Sequence, residues 1–86
     1  MSLNYTNADL VPVLKKLARD AGMNIFLSPE VKGRVTISIK NVSANSAMDL
    51  ILALQEEKYS YKVLKNTYVV ATPERLNEIP DDLLGR

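Results

Sequence analysis

The chain has 86 residues, 47% hydrophobic and 24% charged, with 11 Lys/Arg against 10 Asp/Glu for a net charge of +1. That length supports one domain with a compact core and leaves no room for a second. Neither cysteine nor histidine occurs, which excludes disulfides, thiolate chemistry and imidazole-based metal or general-base sites together.

No apolar run approaches the roughly 20 residues of a membrane-spanning helix. The near-balanced charge is unlike the basic excess through which counterion release drives nucleic-acid binding. The opening Met1-Ser2-Leu3-Asn4 has neither the basic leader nor the apolar stretch of a signal peptide. A cytoplasmic protein, or a mature fragment of something longer, is therefore expected.

Leu3 to Tyr5 alternates apolar and polar residues as a short strand does. From Leu10 the apolar positions Leu10, Val13, Leu14, Leu17, Ala18 and Ala21 recur at helical spacing, with Lys15, Lys16, Arg19 and Asp20 on the opposite face. Asn7 or Asp9 offers an N-cap; Pro12 favours Asp9, because proline belongs in a first turn. Gly22 supplies the stop. Asn24-Ile25-Phe26-Leu27 is a second, apolar strand that ends at Ser28-Pro29-Glu30, and Lys32-Gly33 turns the chain. Val35, Ile37 and Ile39 then alternate with Arg34, Thr36, Ser38 and Lys40, the pattern of a half-buried strand.

Ser43 is expected to cap a second helix, with Val42 stapled against Ala47. Its expected buried stripe is Ala47, Leu50, Ile51 and Leu54, widened by Met48 and Leu52. Gln55-Glu56-Glu57-Lys58 is expected to end that helix in solvent. With no glycine there, Lys58 is expected to turn left-handed. Residues 59–65 and 67–71 read as a hairpin around Asn66. Thr72-Pro73-Glu74-Arg75 caps one short helical turn, and residues 79–86 have linker composition, with an ordered start and a loose end. The order β-α-β-β-α-β-β defines an α+β fold, without a sequence repeat.

Chemistry finds little purchase. Glu56-Glu57 and Asp81-Asp82 lie in polar helix-end and tail contexts, where paired acids are solvated rather than tuned for catalysis. Gly22, Gly33 and Gly85 are isolated, so no phosphate loop exists, and no carboxylate cluster has metal-loop spacing. Lys58, Lys62 and Lys65 interleave with Tyr59, Tyr61 and Tyr68 as in a base-stacking platform. Tyr59, Tyr61 and Val63 also share one strand face, and filling the core is the simpler use of them. Lys15, Lys16 and Arg19 suit an ordinary solvated helix face better than a dock for an acidic partner. The expectation is a protein without catalytic activity, cofactor or metal. Its strand edges are the best binding surface, because small sheets leave main-chain groups open to a partner strand. Residues 34–40 or 3–5 would supply the edge, with Asn4, Arg34, Thr36, Ser38 and Lys40 as the partner-binding residues.

The run from Asn24 to Thr36 resembles the signature of the short N-terminal domain shared by secretins and TonB-dependent receptors: an Asn and apolar run, Pro29, the Val31-Lys32-Gly33 turn, and the strand opening Val35-Thr36. Lys40-Asn41-Val42, Ala47 to Leu52, Leu3-Asn4-Tyr5 and Asn7 to Leu10 with Val13-Leu14 look like the secretin branch, closest to type IV pilus secretins. Asn24, Pro29, Val31, Gly33, Val35 and Thr36 then form a structural motif. Pro29 stiffens the strand exit, Gly33 permits the turn, and Val31 plugs it. One departure is Lys58, where the family usually has glycine near the second helix's end.

The resemblance implies two helices sandwiched between a three-stranded and a two-stranded sheet. It implies a domain over residues 1–72, with residues 73–86 as a short helical turn and interdomain linker. It further implies a periplasmic location within an outer-membrane protein, without membrane insertion by this domain. The implied partners are inner-membrane pilus or secretion proteins and neighbouring secretin subunits of a homo-oligomeric ring, not nucleic acid. The alternative within the resemblance is the signalling domain of a TonB-dependent receptor, contacting an anti-sigma regulator.

Overall fold

Period-two and helical patterns sort the chain into two small sheets with a helix pair between them. The computed structural model describes residues 1–79; the expected loose tail at residues 80–86 lies outside them. The elements are β1 (Leu3–Asp9), α1 (Leu10–Asp20), β2 (Asn24–Leu27), β3 (Arg34–Ile39), α2 (Ala44–Ala53), β4 (Ser60–Leu64), β5 (Thr67–Ala71) and α3 (Pro73–Asn77). β1 and β3 pair antiparallel as one sheet. The other has the order β2-β5-β4, with β2 parallel and β4 antiparallel to β5.

The main core takes Leu10, Leu14 and Leu17 from α1, Met48 and Ile51 from α2, Val35 and Ile37 from one sheet, and Tyr68 and Val70 from the other. β5 is apolar on both faces because it is covered on both. Tyr68 and Val70 face the helix pair, while Val69 and Ala71 pack with Leu76 of α3 in a second cluster. Thr72 caps α3, its hydroxyl accepting from Arg75 N at 3.4 Å. Gly22 stops α1 at φ +72°, a left-handed conformation that suits glycine.

Several elements differ from the sequence pattern. β1 continues past Tyr5 to Asp9 through a bulge. Asp9 is the N-cap of α1 but makes no side-chain capping bond, because its carboxylate pairs with Arg34 at 3.1 Å. On α2 the buried residues are Ala47, Met48, Ile51 and Leu52, whereas Leu50 and Leu54 are 43% and 62% exposed. Apolar residues cover most of that helix's circumference, so hydropathy alone did not select the inward arc; contact with α1 and both sheets does.

Among the described residues the left-handed non-glycine positions are Asn7, Asn41, Lys65 and Asn66, not Lys58. The end of α2 is met instead by Gln55, which is half-buried and whose side-chain amide donates to Ile51 O at 3.3 Å. Ile51 O also accepts from Leu54 N at 3.3 Å, so the side chain reinforces a last turn that backbone bonds close without a left-handed residue. Val63 is exposed while Tyr59 is buried, so the shared face of β4 holds only in part.

Candidate docking edge

The two-stranded sheet turns Leu3, Tyr5, Ala8, Val35, Ile37 and Ile39 toward the helices and Asn4, Thr36 and Ser38 toward solvent. The register Leu3↔Ile39, Asn4↔Ser38 and Tyr5↔Ile37 shifts by one at Ala8↔Val35. Thr6 and Asn7 thus share one opposing residue, Thr36. Asn7 takes φ +48°, which asparagine tolerates. Its N–H donates to Thr36 Oγ1 at 2.9 Å, and its carbonyl accepts from Arg34 Nη1 at 3.1 Å. Arg34 and Thr36, read as partner residues, are therefore occupied within the sheet by holding this bulge. Asn4 and Ser38 are brought opposite each other and exposed; Lys40 stands exposed just beyond β3.

Main-chain parity defines the open edge. Leu10 N donates to Gly33 O at 2.9 Å and Val42 N to Met1 O at 3.1 Å. Alternation along β3 from the Leu10–Gly33 bond directs the backbone groups of Val35, Ile37 and Ile39 at β1 and those of Arg34, Thr36 and Ser38 away from it; the Val42 bond lies beyond Asn41, whose φ of +57° interrupts the alternation. The Arg34 carbonyl is covered by Gln55 Nε2 at 3.1 Å. What stays open is the main chain of Thr36 and Ser38. The outer edge of β1 is bulged, a feature that turns strand edges away from pairing. β2 is only four residues long and is followed by Ser28-Pro29. Of these edges β3 is the regular one.

The segment between β2 and β3 fixes where that edge begins. Ser28 is buried; its hydroxyl donates to Glu30 Oε1, and its carbonyl accepts from Val31 N at 3.0 Å. The other carboxylate oxygen of Glu30 accepts from Thr72 N at 3.4 Å and Arg75 Nε at 3.2 Å. The Ser28 hydroxyl first, then the Thr72 N–H and the Arg75 charge, hold the Glu30 carboxyl below its usual range against partial desolvation. Val31 is buried as a plug beneath the turn. The Tyr59 hydroxyl donates to Glu30 O at 2.8 Å and accepts from Lys32 N at 3.1 Å; burial pushes that phenol's pKa up. Gly33 sits at φ +147°, and a Cβ there would strike Gln55 Oε1. Asn24, at the start of β2, donates its N–H to Asn66 O at 3.0 Å. Pro29 follows Ser28 on the surface.

The sequence pattern gives Glu30 no role beyond the end of β2, expects Gln55 in solvent where it is half-buried and bonded to Arg34 O and Ile51 O, and expects Tyr59 in the core without its hydroxyl bonds to the turn. The contacts of Glu30 reach 42 and 45 residues along the chain, and no local spacing signals such a link. The tyrosines are packed, with the Tyr61 hydroxyl on Asn45 O at 3.4 Å and the Tyr68 hydroxyl on Asn45 Oδ1 at 2.7 Å; they form no exposed stacking platform. Among the described residues no group of three or more acidic side chains is placed to hold a metal ion, and no helix is long and apolar enough to cross a membrane.

A family model described as the GspD-like N0 domain matches residues 3–69. The type IV pilus biogenesis and competence protein PilQ of Neisseria gonorrhoeae is 36% identical over 52 residues, 60% of this chain and 7% of that protein. The fimbrial assembly protein PilQ of Pseudomonas aeruginosa is 29% identical over 76 residues, 88% of this chain and 10% of that protein. The chain thus spans a tenth or less of the length of these relatives. Among solved structures, the N0 domain of the type II secretin from enterotoxigenic Escherichia coli superposes with TM-score 0.72 at 17% identity, covering 84% of this chain and 93% of that one. The N-terminal domain of the secretin XcpQ from Pseudomonas aeruginosa, a dimer mutant, gives 0.64 at 18% identity, covering 84% and 36%.

Proposed function

The chain belongs to the GspD-like N0 domain family, and from that premise we propose that it is a non-catalytic periplasmic domain of an outer-membrane secretin serving type IV pilus biogenesis. There it is a scaffold within a ring of neighbouring subunits and a docking site for inner-membrane components of the machine. The likeness to two PilQ proteins supports the pilus setting. Residues 73–86 are then the connection to the next module, beginning with α3.

The observation that carries the docking role is the open main chain of Thr36 and Ser38 on an unbulged strand. Such an edge accepts an added strand through backbone hydrogen bonds. Asn4, Arg34, Thr36, Ser38 and Lys40 border it, with Arg34 and Thr36 acting through the bulge that they hold.

Ser38 is the clean test position, because its N–H points away from β1 and proline there removes no bond within the sheet. In the full-length parent protein, Ser38→Pro is expected to leave the high-mass outer-membrane multimer intact and to abolish surface pili. Normal piliation by a stably folded Ser38→Pro protein would overturn the docking role. Loss of the multimer itself would show that the strand serves assembly instead.

A further inference from the structure

The edge of β3 does not stand alone. Residues 40–43 link the end of β3 to the start of α2, and at the far end Gln55 returns to the Arg34 carbonyl at 3.1 Å. α2 therefore runs antiparallel beneath β3, just as α1, which follows β1 directly, lies with β1. The outer edge of β3 and the flank of α2 that faces away from α1 look to the same side.

Two sets of side chains divide that flank. Asn45 and Asp49 turn toward the three-stranded sheet, where Asn45 accepts from Tyr61 and Tyr68 and Asp49 bears on the Tyr61 phenol. By helical spacing Leu50 and Leu54 lie on the opposite side of that flank. Leu54 lines an open groove together with Lys32, Gly33, Arg34, Gln55, Glu56 and Glu57. Both leucines are exposed, as is Ala53 between them. At spacings of three and four residues they form an apolar ridge along the flank of α2, which at Leu54 reaches the start of β3.

Resting on the reading of β3 as the docking edge, we infer that the site has two parts and that its occupant is an extended segment of alternating character. The occupant's backbone pairs with Thr36 and Ser38, and its inward side chains are apolar and seat on Leu50 and Leu54. Its outward side chains are acidic, because Arg34 on the solvent face of β3 and Lys40 just beyond the strand are basic and β3 itself carries no acid. Arg34 already pairs with Asp9, while Lys40 has no ion pair among the described residues. Backbone pairing sets the occupant's direction; the leucine ridge sets which of its two faces turns inward, because a strand slipped by one residue would lay acids on Leu50 and Leu54.

The test titrates the isotopically labelled chain with an end-blocked octapeptide of alternating valine and aspartate. A control peptide of the same composition has its valines and aspartates in two blocks. Shifts at the Thr36 and Ser38 amides and at the Leu50 and Leu54 methyls are expected, with the block peptide at least tenfold weaker. Leu50→Ser and Leu54→Ser, both at exposed positions, are each expected to weaken binding about tenfold while the Thr36 and Ser38 amides still shift at saturation. Unchanged affinity in both serine variants would overturn the leucine ridge and leave the edge reading standing. Shifts confined to other strands, or none at millimolar peptide, would overturn the ridge and the edge together.

Discussion

The two sheets share one core and differ in what lies on their outer faces. Behind β2-β5-β4, Val69 and Ala71 are covered by Leu76 of α3. That helix is held at one end by Glu30 through Thr72 N and Arg75 Nε. At the other end Lys62 Nζ donates to Leu76 O at 3.1 Å. Among the described residues nothing packs behind β1–β3: Asn4, Thr36 and Ser38 face solvent, and the outer edge of β3 is free. Apolar burial stabilises in proportion to the area removed from water, whereas an open edge is maintained only where burial stops. The molecule thus separates the surface that contributes stability from the surface that remains available to a partner.

The strongest way to break that comparison is to open the closed face. Leu76 is buried, and Leu76→Ala is expected to cost roughly 2–3 kcal/mol, from lost transfer free energy and the cavity left behind. Ser38→Ala on the bare face is expected to stay within about 0.5 kcal/mol. Urea unfolding of both variants measures the contrast, and equal costs would mean that the two outer faces do not differ in the way described. Peptide binding at β3 should survive Leu76→Ala in conditions where that variant is folded.

A smaller effect sharpens the comparison through pH. The Glu30 carboxyl is held below its ordinary value of 4.5, so the folded state binds its proton less readily than the unfolded chain does. The stability this contributes is present above pH 4.5 and is lost as pH falls through the lower folded value. Arg75, Glu74 and Glu78 line the same shallow recess. Of these, Arg75 supports the charged form of Glu30. Glu30→Gln is expected to be less stable than the parent near pH 7, with the difference shrinking below pH 4.5. Urea midpoints of the two proteins across pH 3 to 7, on the order of the window just derived, provide the measurement. A difference that stayed constant over that range would remove the carboxylate from the account of how α3 is held.

Much of this division is legible in the sequence. The alternation of residues 34–40 announces a strand with one bare face, and α1 shows its buried stripe without ambiguity. The Pro29-to-Thr36 motif locates the turn that opens β3. The buried arc of α2 is not legible, because Leu50 and Leu54 are as apolar as Ile51 and Leu52, and only the neighbours of the helix decide which pair faces inward. The extension of β1 to Asp9 is hidden for another reason: Thr6, Asn7 and Asp9 are polar, and the bulge that admits them depends on Thr36 and Arg34 across the sheet. The sequence points to residues 34–40 or 3–5 as an open edge on main-chain grounds without choosing between them; the parity of main-chain groups that frees Thr36 and Ser38 exists only once β1 and β3 are paired.

The smallest expected effect lies in the turn between β4 and β5. Lys65 and Asn66 both take positive φ, +47° and +63°, as a two-residue hairpin turn of the mirror-image type requires. Among the described residues, three of the four non-glycine residues in that region of backbone space are asparagine, and Lys65 is the exception. Its longer side chain gains nothing from the left-handed conformation, whereas a short amide can bond locally to the backbone. Lys65 is exposed, so a substitution there disturbs no packing. Lys65→Asn is therefore expected to raise stability by about 0.5 kcal/mol, read as an increase of a few tenths molar in the urea midpoint. Because the turn joins strands of the closed sheet, peptide binding at β3 should not change. An unchanged or lowered midpoint would mean that Lys65 is held in its conformation without cost. A changed affinity at Thr36 and Ser38 would mean that the two sheets are coupled through the core, and that stability and recognition are less separate than their outer faces imply.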